Sequence, residues 1–304
     1  MLKEDVKRYV QHHRDLGFKY RVQSGLLNNF ASFAEARGEP VVHSQSVIDW
    51  AGKAPSPQQQ RNRLLTVRRF ALVMQTEDER HQVPPSGLFG QLSFQRCIRH
   101  IFTTDEVLAL IQAAKQLPPA GTIRPATFST MFGLLAATGL RSSEALALTF
   151  ADITTDGLIV SETKFRKSRL VPLHETTMHV LEQYLTHRKR CRTKSDSVFV
   201  SQRGTSFSYV TVNHVFLALL RNLGFRKGPG HPGPCLHDLR HTFAVRSLEQ
   251  CIGDSEAIKR HMVGLSTYLG HAHISDTYWY LQATPRLMSQ ISLDGESLFQ
   301  GYQP

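Results

Sequence analysis

Four separated segments of this chain carry residues whose types and spacing suit work on an anion. In Ala137-Thr138-Gly139-Leu140-Arg141-Ser142-Ser143-Glu144 the glycine ends one helix and the serine pair caps the next. That leaves Arg141 at a helix start, where free backbone N–H groups also favour negative charge. In Thr163-Lys164-Phe165-Arg166-Lys167-Ser168-Arg169 the cations Lys164, Arg166, Lys167 and Arg169 crowd one expected hairpin tip. They read either as a solvated tip or as a tip that sets a lysine into a polyanion. In His237-Asp238-Leu239-Arg240-His241, His237 and Arg240 stand three apart and share a helix face, a pair able to grip one phosphate. The last segment runs from His271 through Tyr278 and Trp279 to Tyr280. Its aromatic residues read as packing, or as a phenol that serves as a nucleophile.

A metal is the rival reading of the third segment. His237 and His241 have the i, i+4 spacing of helical zinc ligands, but the metalloprotease pattern needs Glu after the first His, and Asp238 stands there. Cys97, Cys191, Cys235 and Cys251 are far apart with no CxxC pair, which argues for reduced intracellular thiols and against a zinc site or a disulfide frame. No metal is therefore expected. Tyr278 and Tyr280 differ by about 200° of rotation on a helix, so only one of them faces a shared pocket.

The elements that would position these groups are mostly helical. From Val6 to about Asp78 the pattern is helical throughout, with Leu26, Leu27, Phe30, Phe33 and Ala34 on one buried face. A second run, Leu64, Leu65, Val67, Phe70, Ala71, Val73 and Met74, follows the capping pair Ser56-Pro57. Its polar side carries Arg61, Arg63, Arg68 and Arg69. Val83-Pro84-Pro85-Ser86-Gly87 marks a linker, giving units over 1–82 and 102–304 with 83–101 between them. The second unit opens where Thr103 or Thr104 caps a helix with an acidic first turn. Phe128–Ala137 is an apolar helix, and Leu158-Ile159-Val160 with Arg169–Leu173 forms a hairpin. The remainder is helical, which makes the chain mainly α with a small antiparallel sheet.

Composition narrows the partner. Lys and Arg number 36 against 25 Asp and Glu, a formal charge of +11, which points to a polyanion such as nucleic acid. Hydrophobic residues make up 41%, enough for a packed core and against disorder. The charged start MLKEDVKRYVQHHRD lacks the apolar core of a signal peptide, and Met131–Ala137 is far short of the ~20 residues that span a bilayer. A soluble, cytoplasmic protein is expected.

Together the four segments resemble the tyrosine recombinase (phage integrase) family. Its order of Arg, Lys, His-x-x-Arg, His and Tyr, with nine positions from the last His to the Tyr, is matched by Arg141, Lys164, His237, Arg240, His271 and Tyr280. The phrases TGLRSSE, TK…RLVPL, HDLRHTFA and LGH…Y each resemble one of the family's boxes. The likeness is strong over Phe102–Leu281, whereas only the layout of the N-terminal part is similar to the family's helical, SAM-like core-binding domain. The resemblance implies a site-specific recombinase, an integrase or transposase of a mobile element, that breaks and rejoins DNA through a 3′-phosphotyrosine. In that scheme Tyr280 is the nucleophile, Lys164 the general acid, Arg141, Arg240, His237 and His271 the phosphate ligands, and Glu144 holds a basic partner. No cofactor is implied. The implied partner is double-stranded DNA carrying a recombination site, bound by a homo-oligomer, a dimer per site and a tetramer in the synapse. Arg61, Arg63, Arg68, Arg69, Arg166 and Lys167 become candidate DNA contacts, while His241 and His273 are assigned to packing or the DNA backbone. The amphipathic stretch Leu287, Met288, Ile291, Leu293, Leu298 and Phe299 either folds onto its own domain or docks into a neighbouring protomer. The nearest alternatives are a type IB topoisomerase-like nicking-closing enzyme and a catalytically dead DNA-binding regulator.

Overall fold

The computed structural model describes residues 2–90, 99–161, 168–191, 193, 195–228, 230–251, 255–271, 273–282 and 289. Lys164, Arg166, Lys167 and the amphipathic stretch from Leu287 to Phe299 lie outside the described residues. The chain divides into two compact units, Met1–Arg96 and Cys97–Pro304.

The first unit holds four helices, α1 (Leu2–Asp15), α2 (Arg21–Glu35), α3 (Ser44–Gly52) and α4 (Pro57–Glu77). The expected continuous helical pattern is broken at Gly17 and Gly38, both at positive φ, a turn conformation that a Cβ disfavours. Ser56 caps α4 by accepting from the Gln59 N–H at 3.3 Å, with Pro57 in the first turn. Leu27, Phe30 and Ala34 of α2 meet Leu64, Val67, Phe70, Ala71 and Met74 of α4 around Trp50. Leu26 and Phe33 are only half-buried, and Val73 is 43% exposed, contrary to the sequence expectation. The reason is rotational: Val73 sits about 100° away from Met74 and leaves the inward stripe. Val83 and Phe89 pack on this same core, so the start of the proline-rich stretch is held by the first unit.

The second unit begins with α5 (Thr104–Lys115), whose capping box joins Thr103 and Glu106 in both directions, at 3.1 and 2.9 Å. It continues through α6 (Ile123–Thr138) and α7 (Ser142–Ala147) to three short strands, β1 (Ile153–Thr154), β2 (Gly157–Val160) and β3 (Arg169–Val171). The sheet is antiparallel in the order β1-β2-β3, with Leu158 opposite Val171 and Val160 opposite Arg169. Then follow α8 (Glu175–Lys189), α9 (Tyr209–Asn222), α10 (His237–Glu249), α11 (Ser255–Leu269), α12 (Ser275–Tyr278) and a 3₁₀ turn, Trp279–Gln282. The main core gathers Phe102, Phe128, Phe132, Leu158, Val171, Tyr184, Phe199, Phe216 and Leu239. A second cluster of Ala244, Val245, Leu248, Met262, Leu265 and Leu269 joins α10 to α11 and receives Tyr280. None of the helices among the described residues is long and apolar enough to cross a membrane.

One buried cation stabilises the second unit. Arg188 is 2% exposed, donates to the Ser195 carbonyl at 2.7 Å and to the Ser197 carbonyl at 2.9 and 3.1 Å, and lies over the Phe150 ring. Arg188→Met keeps the volume but orphans both carbonyls, at about 1–3 kcal/mol each. Urea titration is expected to show a lower midpoint with an unchanged slope. An unaltered midpoint would mean that water replaces the guanidinium without loss.

Candidate active site

The site is assembled from the ends of helices. α6 stops because Gly139 adopts a left-handed conformation (φ 60°), and a Cβ there would stand 2.5 Å from the Phe243 ring, so backbone and packing both require glycine. The chain then turns immediately into α7 with Arg141 as the capping residue. The serines do not cap this helix; Ser142 and Ser143 occupy its first turn. The Glu144 carboxylate fills the capping role from inside the helix, accepting the Arg141 backbone N–H at 2.9 Å.

Three guanidinium groups converge around that carboxylate and the loop after α11. Arg240 of α10 is 2% exposed and donates to the Gly139 carbonyl at 2.8 Å and the Leu269 carbonyl at 2.7 Å. Arg141 donates to the Gly270 carbonyl at 2.9 Å and to Glu144 Oε1 at 2.8 Å. Arg169 of β3 spans both oxygens of Glu144, at 3.1 and 2.8 Å, and donates through Nε to the Tyr268 carbonyl at 2.7 Å. Gly270 sits at φ 65°, where a Cβ would come within 2.8 Å of the Arg169 guanidinium.

One carboxylate thus faces three guanidiniums, and the pocket keeps a surplus of positive charge. Burial opposes ionisation of Glu144, but the bonds from Arg169 and from the Arg141 N–H prevail and hold its pKa below the ordinary carboxylate range. Burial, and then the neighbouring Arg141 charge, push the Arg240 pKa down to about 10, which still leaves it cationic at neutral pH. An arrangement of this kind attracts an anion carrying several oxygens.

The histidines and the tyrosine line the same pocket. His271 follows Gly270, and its Nδ1 pairs with Thr277 Oγ1 at 2.8 Å, which leaves Nε2 for a ligand. Burial and then the Arg240 charge bring its pKa down to about 4. His237, at the first position of α10, is exposed; desolvation by the protein around it and then the Arg240 charge lower its pKa. Tyr280 is 3% exposed, with the His271 ring stacked over it at 6.0 Å and the His241 ring edge-on at 5.3 Å. Burial raises its pKa, against the charge and hydrogen bond of Arg240. Tyr278 points outward and is 53% exposed. The tyrosines separate on a different element from the one expected: α12 ends at Tyr278, and Tyr280 lies in the 3₁₀ turn. A tighter helix of about three residues per turn still sends two such positions to different sides.

Arg141, His237, Arg240, His271 and Tyr280 therefore gather in one place, with Glu144 beneath them; Lys164 lies outside the described residues. His237 and His241 meet edge-on at 4.8 Å, and among the described residues no three His, Cys, Asp or Glu side chains form a group able to hold a metal.

The four arginines of α4 do not make one stripe. Arg63 stacks on Trp50 at 5.0 Å and donates to the Trp50 carbonyl at 3.2 Å. Arg61 donates to the Gly90 carbonyl and Arg68 to the Pro84 carbonyl, whereas Arg69 is exposed. Arg63 lies about 200° around the helix from Arg61, which explains the division.

Two residues of the site had no site role in the sequence reading: Arg169, taken as one of the hairpin-tip cations, and His241, taken as packing or a DNA-backbone contact. Strand alternation held a signal for the first, because Arg169 shares a face with the fully buried Val171. A cation facing a core needs a partner, and Glu144 is that partner.

Comparisons with known proteins place the chain in a family. The model of the phage integrase family matches residues 100–286. A protein of Sinorhizobium fredii described as an integrase/recombinase (y4rB) is 38% identical over 301 residues, covering 95% of each chain. The tyrosine recombinase XerD of Neisseria meningitidis serogroup B is 29% identical over 203 residues, 64% of this chain and 62% of that one. Among solved structures, the Tn1549 transposon integrase in complex with transposon right end DNA superposes with a TM-score of 0.66 over 97% of this chain and 98% of that one, at 16% identity, which shows a shared fold. The chain belongs to the phage integrase family, the tyrosine recombinases.

Proposed function

We propose that this chain cuts and rejoins duplex DNA at a specific recombination site, with Tyr280 as the nucleophile. The observation that carries the reading is the setting of the phenol: buried between two imidazoles and within the field of the Arg240 charge, while Tyr278 faces away.

A phosphodiester is itself an anion, and negative charge builds on its non-bridging oxygens as a nucleophile enters. Arg141 and Arg240 each retain N–H groups beyond those given to backbone carbonyls and Glu144, and these serve the phosphate bidentately. His237 and His271 add donors at its rim. The Tyr280 phenol loses its proton as its oxygen bonds to phosphorus, and the bond to the 5′-oxygen breaks as Lys164 protonates it. The product is a 3′-phosphotyrosine and a free 5′-hydroxyl. One phosphoester replaces another, so a 5′-hydroxyl from a second strand reverses the step and seals the new joint. The chemistry needs neither nucleotide hydrolysis nor a cofactor.

The helical unit over 1–82 serves as a DNA clamp, and two protomers on each of two sites form the tetramer in which strands change partners. Arg69, exposed on α4, is the α4 arginine best placed for a phosphate, and Arg166 and Lys167 are further contacts. A role in integration or transposition of a mobile element fits the likeness to transposon and phage enzymes.

Two assays test the proposal in turn. DNA trapped covalently on the protein is sequenced to define the site, and a plasmid carrying two copies is then incubated with the enzyme. Inversion or deletion between the copies is expected. Relaxation of supercoils without exchange would instead indicate a topoisomerase. Binding is expected to weaken steeply with salt, with a log–log slope of about −0.9 per phosphate neutralised. A flat dependence would remove the cationic pocket from the account of binding.

A further inference from the structure

Position 241 reads in the sequence as a packing or DNA-backbone histidine, and its surroundings give it more to do. We infer that His241 is a positioning residue that fixes the ring of Tyr280 in the phosphate pocket and links its placement to His237. This rests on the reading of Tyr280 as the nucleophile.

The turn that carries Tyr280 is short. α12 has four residues and the 3₁₀ turn after it another four, so this element is too brief to locate a side chain by its own rigidity. The ring must be placed by what it packs against. Its apolar side meets the α10–α11 cluster of Ala244, Val245, Leu248, Met262, Leu265 and Leu269. On the pocket side the His271 ring covers its face, at 21° to its plane, and His241 presents an edge at 66°. His241 is 7% exposed and stands on the rigid α10, one turn after His237, whose ring it meets at 90°. Displacing any one of His237, His241 and Tyr280 therefore presses on the next ring.

The contact works through ring shape. Among the described residues the His241 ring has no hydrogen-bond partner. Burial first, then the charges of His237, Arg99, Arg240 and His271, bring its pKa down to about 3. It is thus neutral at working pH and too weak a base to take the Tyr280 proton. Its remaining contribution is a flat, rigid surface in edge-to-face contact with a phenol. Misplacing a nucleophile by about 1 Å can cost on the order of 100-fold in rate.

The test uses single-turnover cleavage of a nicked duplex carrying the trapped site, measured at saturating protein, with DNA affinity and thermal midpoint recorded for each variant. His241→Ala is expected to slow adduct formation about 10- to 100-fold without changing DNA affinity. His241→Phe, which restores the ring, is expected to recover cleavage to within a few-fold. The proposal is overturned by wild-type cleavage in His241→Ala, by an equally slow His241→Phe, or by a loss that only mirrors a lower folded fraction. Tyr280→Phe is run alongside. An adduct surviving there defeats the nucleophile assignment itself, whereas its absence together with an unimpaired His241→Ala defeats only the role of His241.

Discussion

Replacing Tyr280 by phenylalanine is expected to abolish the covalent protein–DNA adduct while DNA affinity stays within about twofold of the wild type, since the phosphate contacts that dominate binding are untouched. The substitution keeps the ring, its burial and its contacts with His241 and His271, and removes one oxygen. Among the described residues, the two hydroxyls nearest Tyr280 in sequence are poorly placed to substitute. Tyr278 faces solvent, and the Thr277 hydroxyl is engaged by His271 Nδ1. A gel that retains labelled DNA on the protein after denaturation reads the adduct directly. An adduct persisting in Tyr280→Phe, or lost only in Tyr278→Phe, would transfer the role to another residue.

The second large effect belongs to Arg240. Arg240→Lys retains a positive charge but loses the planar fork that reaches the Gly139 and Leu269 carbonyls and, in the proposed mechanism, a phosphate as well. An ammonium on a flexible stem satisfies one of the two carbonyls at most. Cleavage is expected to fall about 100- to 1,000-fold, the cost typical of losing one preorganised donor to a developing oxyanion. Stability is expected to fall as well, by about 1–3 kcal/mol for the carbonyl left without a donor. The two losses separate when cleavage is measured well below the thermal midpoint of the variant. Arg141→Lys offers the contrast: its side chain is more open and Glu144 remains bridged by Arg169, so its stability should change less. An Arg240→Lys enzyme that is folded and cleaves within tenfold of the wild type would end the assignment of Arg240 as a phosphate ligand.

What could be read from the sequence was local. Ser56 before Pro57, Thr103 three residues before Glu106, and Gly139 after an apolar run each announce a helix boundary through their immediate neighbours, and each stands at one. The hairpin of β2 and β3 was likewise legible from two short β-branched runs around a polar turn. Rotation left room for only one of Tyr278 and Tyr280 in the pocket, and the spacing from His271 favoured Tyr280, although the element proved to be a 3₁₀ turn. What escaped the sequence depends on partners far along the chain. Arg169 is held by the Tyr268 carbonyl, 99 positions away, and by Glu144, 25 positions away. Arg63 looked like one of a row of candidate DNA contacts on the polar side of α4 until Trp50 of α3 lay beneath it. The serines after Arg141 were plausible caps by type, yet both lie in the first turn of α7, and the Glu144 and Ala145 N–H groups donate to the Arg141 carbonyl. In each case a tertiary contact settled what local propensity left open.

The bonds from Arg240 and Arg141 to the carbonyls of Gly139, Leu269 and Gly270 bear on how such an enzyme can be altered. The two side chains proposed to grip the phosphate also stitch together the segments on which the other proposed ligands sit. In a mutant library, most replacements at these positions would be lost as misfolded protein before their chemistry could be screened. Replacements at surface cations such as Arg69 carry no such penalty. Selection for a new DNA target therefore has wide room on the periphery and almost none at the centre, and variants with altered targets should share an unchanged reaction.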